Sequence, residues 1–497
     1  MSDPATLQVL QSSLRGVADE MLAGLVRSAR SANIKERRDC STAVFDPGGR
    51  MIAQAESIPV HLGAMPDAVA ACLTLDPVPG DVLILNDPFT GGTHLPDITL
   101  VTLVEGLGIL VSRAHHADVG GMRPGSLPAG ATELLQEGLV IPPMRLTDEV
   151  MTVIAANTRR PDERIADLRA QIACHTLGQR RLSEIAGRMG RRRLLAGMDE
   201  LYDYGVRRMR AAIRELPDGR HRARDVMEGD GVIDHDIRIA VEVTVAGERL
   251  VVDFAGTAPQ QPGNVNCPLA VTRAAVAYAV RVVCDPDLPA SGGALEPVEI
   301  RAEPGCLVNA QAPAAVVAGN VETSSRIVDV MLAALTRRDP VAQGQGTMNN
   351  VSFGNDRFVY FETVAGGQGA SARGDGPDAV HVAMSNTLNT PIEVLEQEYP
   401  LRVERYGLRR GTGGEGRHRG GAGVVRAYRV LEDCSASLMA ERRRHPPAGA
   451  AGGAPGAVGE NRLNGKRIGS KVSLELAAGD VVEVRTPGGG GWGKPRT

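Results

Sequence analysis

The spacing of apolar residues changes along this chain, and that change limits the fold more than any other feature. Between residues 38 and 143, short β-rich runs alternate with loops of Gly, Pro and Asp, a pattern typical of strands. From 161 to about 216 the apolar spacing is helical, with a break expected around 187–190. Residues 237–254 alternate strictly around a turn at 246–248, which predicts a hairpin. The chain is therefore predicted to be mixed α/β (α+β), with long helices in the middle.

A chain of 497 residues is too long for one hydrophobic core, so a multidomain protein is expected. We predict four regions, and the first opens with an amphipathic helix over 7–29. The middle region carries helices over 268–284 and 322–336. The four are an N-terminal region with polar loops (1–160), a helical region (161–230), an α/β middle region (231–355) and a Gly-rich, β-containing C-terminal region (356–497).

Charge and composition exclude several classes of protein. A net charge of −4 with only 3% aromatic residues argues against nucleic acid as a partner, because neither a basic surface nor stacking platforms are available. The seven cysteines form no C-x-x-C pair, which suits a reducing compartment. The sequence has no secretory signal and no apolar run of about 18 residues for a membrane span. We expect a cytoplasmic protein.

Two loops that follow predicted strands hold the strongest chemical signal. The first, NDPFTGGTHLPD (86–97), places His94 and Asp97 three residues apart after a buried run at 82–85. The second, RAHHADVGG (113–121), brings a histidine pair and an aspartate about 20 residues later. Imidazole and carboxylate together suit Mn, Fe or Zn rather than a structural thiolate site. For each histidine taken alone a loop or core role is favoured, but their clustering favours a metal or active site.

Nine long segments, in order along nearly the whole chain, resemble one known family. They are RRDCSTAVFDPGGR (37–50), ESIPVHLGAMPDAV (56–69), NDPFTGGTHLPDITL (86–100), RAHHADVGGMRPGS (113–126), QEGLVIPP (136–143), GNVETSSRIVDV (319–330), YFETVAGGQGA (360–370), SNTLNTPIEVLEQEYP (385–400) and TPGGGGWG (486–493). The family is hydantoinase B/oxoprolinase, which includes ATP-dependent hydantoinases, 5-oxoprolinase, lactamases and ketone carboxylases. The motifs are far more specific than a lone glycine fingerprint.

The resemblance implies one divalent metal, Mn, Zn or Fe. Its ligands carry over onto Asp39, His94, Asp97 and one histidine of the pair 115–116. We prefer His115, because members of the family can carry tryptophan at the second position. Asp39 enters only through the resemblance; by its local sequence it would be assigned to a turn or cap.

Two further residues of the second loop, His116 and Asp118, are predicted to be catalytic. Asp118 can orient an imidazole or act as a base. An equally weighted alternative is that it closes the turn into residues 120–121.

For each of the further candidate residues, a purely structural role is as well supported as a role in the site, or better supported. His61 either lines the pocket or is a core histidine, and Glu137 either contributes to the site or lies on a helix surface. Asn320, Glu322 and Thr323 either face a pocket or cap the following helix. The glycine runs at 366–369 and 488–491 either cradle an anion or permit tight turns.

The resemblance also implies a hetero-oligomer in which a partner of the hydantoinase A type binds ATP and phosphorylates the substrate carbonyl oxygen. In agreement, the run 459–466 is a poor P-loop, with one residue too many between its glycines and Arg467 where Ser or Thr is required. The predicted function is ATP-dependent hydrolysis of a cyclic amide of the hydantoin, 5-oxoproline or lactam type. The alternatives are a ketone carboxylase subunit, a non-catalytic scaffold for the partner and a stand-alone metallohydrolase.

Overall fold

A computed structural model describes residues 3–55, 58–61 and 63–495, and it begins with a helix packed on a sheet. That helix spans Pro4–Ser28 rather than 7–29, because Pro4 starts it and the Asp3 carboxylate accepts a hydrogen bond from the Thr6 amide. The elements of this part are helices α1 (Pro4–Ser28), α2 (Ala32–Lys35), α3 (Met65–Leu73) and α4 (Asp148–Ala156), 3-10 turns at Pro59–His61 and Leu134–Gln136, and strands β1 (Cys40–Phe45), β2 (Met51–Ala55), β3 (Val82–Leu85), β4 (Asp97–Val104), β5 (Gly108–His115) and β6 (Met144–Arg145).

These six strands form one antiparallel sheet in the order β2-β1-β5-β4-β3-β6. The short strands predicted between residues 38 and 143 are confirmed by β1 to β5. Strands β1 to β5 are buried along nearly their whole length, since helices pack on the sheet. The loops at the ends of β3, β4 and β5 are therefore held on a rigid support.

The predicted helical region consists of α5 (Pro161–Met189) and α6 (Arg191–Arg214). The break falls at Gly190, whose φ of 87° lies in the left-handed region that favours glycine. Gly187 does not break the helix. Helix α5 packs against α1, β4 and β5, so it supplies polar residues to one side of the sheet.

The middle of the chain forms a second sheet with one helix packed on it, and another helix packs on that helix. The predicted hairpin is confirmed, and a strand that the sequence pattern did not predict precedes it. The elements are strands β7 (Gly219–Glu228), β8 (Asp236–Ala246), β9 (Arg249–Asp253) and β10 (Val298–Arg301), helices α7 (Leu269–Cys284) and α8 (Ser324–Leu335), a 3-10 turn at Gly292–Leu295 and a π-helical turn at Gly319–Thr323. The sheet order is β10-β9-β8-β7, with β9 and β10 parallel.

The C-terminal part contains two antiparallel sheets, ordered β12-β11-β15-β18 and β13-β14-β19-β16-β17. Its elements are β11 (Asn350–Gly354), β12 (Val359–Glu362), α9 (Ile392–Glu398), β13 (Leu401–Arg409), β14 (Gly423–Val430), β15 (Cys434–Met439), β16 (Glu460–Leu463), β17 (Lys466–Ile468), β18 (Lys471–Leu476) and β19 (Val481–Arg485). The fold is thus mixed α/β and multidomain, as predicted.

The glycine runs of this part are close-packed segments rather than turns or anion cradles. A Cβ on Gly489 would lie 2.0 Å from the Gln368 carbonyl oxygen, and one on Gly367 would lie 2.0 Å from the Gly421 oxygen. None of residues 366–369 or 488–491 has a positive φ. Glycine is required here because backbones touch, which leaves no room for any side chain.

No helix within the described residues is long and apolar enough to cross a membrane.

Candidate metal centre

The pairing of β4 with β5 brings the two predicted loops together. In this antiparallel register Asp97 lies opposite His115, so residues 18 apart in sequence become neighbours. His94 approaches from the turn that precedes β4. That turn is tight: Gly91 has a φ of 107°, and a Cβ on Gly92 would lie 2.3 Å from the Asn86 carbonyl oxygen.

Three ligand-type atoms meet at this point, all on buried residues. His94 Nε2 lies 3.1 Å from Asp97 Oδ1 and 3.1 Å from His115 Nδ1. His115 Nδ1 lies 3.2 Å from Asp97 Oδ1. Three hydrogen bonds would need three protons, but with Asp97 ionised only the two ring nitrogens can carry one. The protein alone cannot satisfy this triangle.

The spacing of the triangle fits a shared cation. With metal–ligand bonds of about 2.1 Å, ligand atoms at right angles are about 3.0 Å apart, and those at tetrahedral angles about 3.4 Å. The observed edges of 3.1–3.2 Å lie between these two values, so the three atoms could hold one cation together. Each histidine also keeps one buried ring nitrogen, His94 Nδ1 and His115 Nε2, without a partner among the described residues. Imidazole and carboxylate donors suit Mn, Fe or Zn.

The electrostatics favour an ionised Asp97 carboxylate beside a neutral His115 ring. Burial would raise the pKa of Asp97, but His94, His115 and His61 outweigh it and hold that pKa well below its usual range. Burial lowers the pKa of His115, although Asp97 and Asp39 oppose the shift. A neutral imidazole and an ionised carboxylate are the forms that coordinate a cation.

A second layer of side chains fixes the carboxylate, and the sequence patterns largely missed it. Thr93 Oγ1 donates to Asp97 Oδ2 at 2.6 Å. His61 Nε2 lies 3.4 Å from the same oxygen, and its Nδ1 contacts Ser41 Oγ at 2.9 Å. These contacts turn Oδ1 toward the two histidines, which is how outer residues orient metal ligands. The only available signal was that Thr93 and His61 belong to the family motifs.

Asp39 borders the same cavity but lies outside the tight group of three. Its backbone carbonyl accepts a hydrogen bond from the His115 amide at 2.9 Å, and its carboxylate lies 3.9 Å from the buried Arg37 guanidinium. Arg37 stacks on the Phe361 ring, which also stacks on His115 at 4.8 Å. Asp39 is therefore placed at the edge of the site, facing its cavity.

The two predicted catalytic residues are not brought to this cavity. His116 Nε2 donates to Gln171 Oε1 of α5 at 2.9 Å, and burial together with the Arg164 charge lowers its pKa to about 4. Asp118 accepts hydrogen bonds from the amides of Gly120 and Gly125 and pairs with Arg159. The geometry corresponds to the alternative role of Asp118, closing the turn, because both of its oxygens are engaged there.

Glu137 is not on a helix surface, contrary to the simpler sequence interpretation. It is fully buried, and its carboxylate accepts hydrogen bonds from the amides of Val316 and Val317. It holds the segment that leads into the π-helical turn at Gly319–Thr323. Its role is structural support behind the cavity wall.

The cavity beside the three ligands is small, about 30 Å³, and partly apolar. That volume corresponds to a water-sized group. Its lining consists of Asp39, Ile58, Val60, His61, His94, Asp97, His115, Asn320, Val321, Met348, Phe361, Thr363, Met384, Ser385 and Thr387.

Comparison with known proteins agrees with the resemblance. The Hydantoinase B/oxoprolinase family model matches residues 3–495. The 5-oxoprolinase 1 of Arabidopsis thaliana is 38% identical over 99% of this chain, but the chain spans only 42% of that protein. A Pseudomonas sp. protein, named as one of the subunits of a D-/L-hydantoinase, is 32% identical over 99% of this chain and 90% of its own length.

Two solved structures share the fold. The ATP-dependent caprolactamase from Pseudomonas jessenii superposes with a TM-score of 0.92 and 28% identity, covering 99% of this chain and 92% of its own. The nucleotide-free acetone carboxylase superposes with a TM-score of 0.91 over 99% of this chain and 76% of its own. At 18% identity, the second likeness shows the fold alone. This chain belongs to the hydantoinase B/oxoprolinase family.

Proposed function

We propose that this chain is the metal-bearing subunit of an ATP-dependent cyclic amidohydrolase. The observation that carries the proposal is the triangle of His94 Nε2, Asp97 Oδ1 and His115 Nδ1, with edges of 3.1–3.2 Å that no set of hydrogen bonds can satisfy. The family membership and the likeness to a caprolactamase support the substrate class, a cyclic amide such as a hydantoin, 5-oxoproline or a lactam.

A divalent cation, Mn, Zn or Fe, supplies Lewis acidity at such a site: it polarises a carbonyl oxygen and lowers the pKa of water. We propose His94, Asp97 and His115 as its ligands, with Asp39 as a fourth from the cavity edge. Thr93 and His61 hold the Asp97 carboxylate in the required orientation. The apolar part of the lining limits the entry of bulk water, which strengthens the electrostatic interactions inside.

The energy for amide hydrolysis comes, in this proposal, from a partner of the hydantoinase A type that takes up ATP and phosphorylates the substrate oxygen. Phosphorylation turns a poor electrophile into one that accepts water. The Pseudomonas relative is named as one part of a multi-subunit hydantoinase, which supports such a division of labour. The complex would be a cytoplasmic hetero-oligomer.

The test is turnover by the complete complex. The chain is co-purified with its hydantoinase A-type partner and given MgATP with hydantoin, 5-oxoproline or ε-caprolactam, while ring-opened product and phosphate are quantified. We expect one cyclic amide to be opened with matching ATP consumption, and EDTA to abolish turnover. His94→Ala should do the same, whereas the half-exposed His445→Ala should not.

Each of three results would contradict the proposed function and identify one of the alternatives. Turnover of a ketone that requires bicarbonate would identify a carboxylase. Metal-free protein, with turnover unchanged by His94→Ala, would identify a scaffold. Hydrolysis without ATP or partner would identify a stand-alone metallohydrolase.

A further inference from the structure

One buried oxygen atom in the wall of the cavity beside the three ligands has no hydrogen-bond partner among the described residues. The Asn320 side chain lines the cavity and is almost fully buried, with an exposed fraction of 3%. Its Oδ1 atom is buried without a partner in the described part of the chain. Leaving such an acceptor unpaired costs free energy, so its presence points to a ligand.

The other polar residues of the lining outside the ligand group are already engaged. Ser385 Oγ contacts His381 Nδ1 at 2.6 Å, and Thr387 Oγ1 contacts Thr363 Oγ1 at 2.5 Å. Thr363 also accepts a hydrogen bond from Arg37. Asn320 is therefore the polar lining residue, apart from the ligand histidines, that keeps an unsatisfied buried atom within the described ranges.

The backbone holds Asn320 firmly in this position. It lies in the π-helical turn Gly319–Thr323, a geometry often found at functional sites. Its carbonyl accepts a hydrogen bond from Ser324 Oγ at 2.6 Å. Thr323 does not cap α8 but donates to the Val265 carbonyl. A Cβ on Gly319 would lie 1.8 Å from the Asn266 carbonyl oxygen, so the turn is packed directly against another backbone.

We propose that Asn320 is a substrate-binding residue that recognises the amide edge of a cyclic amide. A ring amide is cis, so its N–H and C=O lie side by side. An asparagine side chain offers the complement, a carbonyl acceptor beside an NH₂ donor. When a phosphoryl group passes from ATP to the ring oxygen, ADP leaves and the N–H proton is lost to solvent, so the ring nitrogen becomes an acceptor. The NH₂ group of Asn320 can then donate to it. This inference rests on the proposed function and names the group that selects its substrate class.

The cavity must widen to admit a ring, since about 30 Å³ holds only a water-sized group. Two methionines of the lining, Met348 and Met384, have the unbranched, adaptable side chains that can make room. Met384 belongs to the segment 382–385, whose first two residues line a separate cleft of about 1060 Å³. This segment therefore contributes residues to both spaces.

The test measures affinity, metal content and stability together. Equilibrium binding of ε-caprolactam, hydantoin and N-methylcaprolactam to the zinc-loaded full chain is compared for wild type, Asn320→Leu and Asn320→Asp. We expect both variants to bind the two N–H amides about tenfold more weakly or worse, with unchanged zinc content. N-methylation should weaken binding to wild type but not to Asn320→Leu, because that variant has already lost the acceptor.

The melting temperature of Asn320→Leu distinguishes a binding role of Asn320 from a structural role. Asn320→Leu removes an unpaired buried acceptor, so the unliganded variant should have a melting temperature equal to or above that of wild type. A lower melting temperature, or equal ligand affinity in wild type and Asn320→Leu, would overturn the inference. If zinc-loaded wild type binds no cyclic amide and the complete complex opens none, the proposed function itself is wrong, independently of the role of Asn320.

Discussion

His115 and His116 are neighbours in the chain but belong to opposite sides of the sheet. His115 Nδ1 lies 3.2 Å from Asp97 Oδ1, whereas His116 Nε2 bonds Gln171 of α5 at 2.9 Å. Successive side chains of an extended segment alternate in direction, so one histidine faces the candidate metal centre and the other the helical layer. The same alternation explains why His115 is a candidate metal ligand and His116 is not.

The first prediction follows from this difference. Loss of a residue that only orients a metal ligand lowers metal affinity by up to about 100-fold. His115→Ala removes a proposed ligand itself, so it should lower metal affinity by more than that. His116→Ala should keep the metal but lose about 1–3 kcal/mol of stability, because the buried Gln171 oxygen loses its donor. Metal analysis after dialysis and chemical denaturation measure the two effects. Metal loss in His116→Ala alone would reverse the assignment.

Thr93 should matter for metal binding although it is not a proposed ligand. Thr93→Val keeps the side-chain shape but removes the 2.6 Å hydrogen bond to Asp97 Oδ2. We expect metal affinity to fall about 10–100-fold, measured by competition with a chelating dye. The matched control is Thr90→Val on the exposed part of the same loop, which should leave affinity unchanged. Equal affinities in both variants would contradict the orienting role.

Glu137 should make stability depend on pH. Burial raises its pKa from 4.5 to about 8, although the backbone bonds from Val317 and Val316 oppose the shift. The folded state therefore favours the protonated form, so the stabilising contribution is complete below pH 4.5 and is lost as the pH rises toward 8. The loss is at most about 1.4 kcal/mol per pH unit.

Glu137→Gln cannot ionise, so its free energy of unfolding should fall less than that of wild type between pH 5 and 8. Urea denaturation at one-unit steps measures both curves. Parallel curves would show that Glu137 does not titrate in this range.

Two glycine substitutions should have opposite effects on stability. Gly489→Ala places a methyl group 2.0 Å from the Gln368 carbonyl oxygen, and we expect it to destabilise by about 3 kcal/mol or more, because neither backbone can move aside. Gly187→Ala lies within α5 with no atom within 4 Å of the added Cβ. It should stabilise by about 0.5–1 kcal/mol through helix propensity. Thermal denaturation compares the two, and a tolerated Gly489→Ala would contradict the close packing.

Local sequence was enough to predict the periodic segments and the family. Strand β3 follows from a continuous apolar run, the hairpin of β8 and β9 follows from local alternation, and α5 follows from apolar residues at helical spacing. Such patterns are local, so a window of a dozen residues contains the information. Strand β7, with its exposed, Arg-rich sequence, lacked that signal because its apolar face is short. The family motifs likewise pointed to His94 and Asp97.

The packing of the folded chain determines which polar side chains come together. The pairing of Asp97 with His115, the support from Thr93 and His61, and the cavity wall at Asn320 depend on strand register and on contacts across hundreds of residues. Local sequence carries no information about such distances, because they are set by how whole elements pack. The same holds for the glycine runs, which look like turns in sequence but are fixed by the backbones that lie against them.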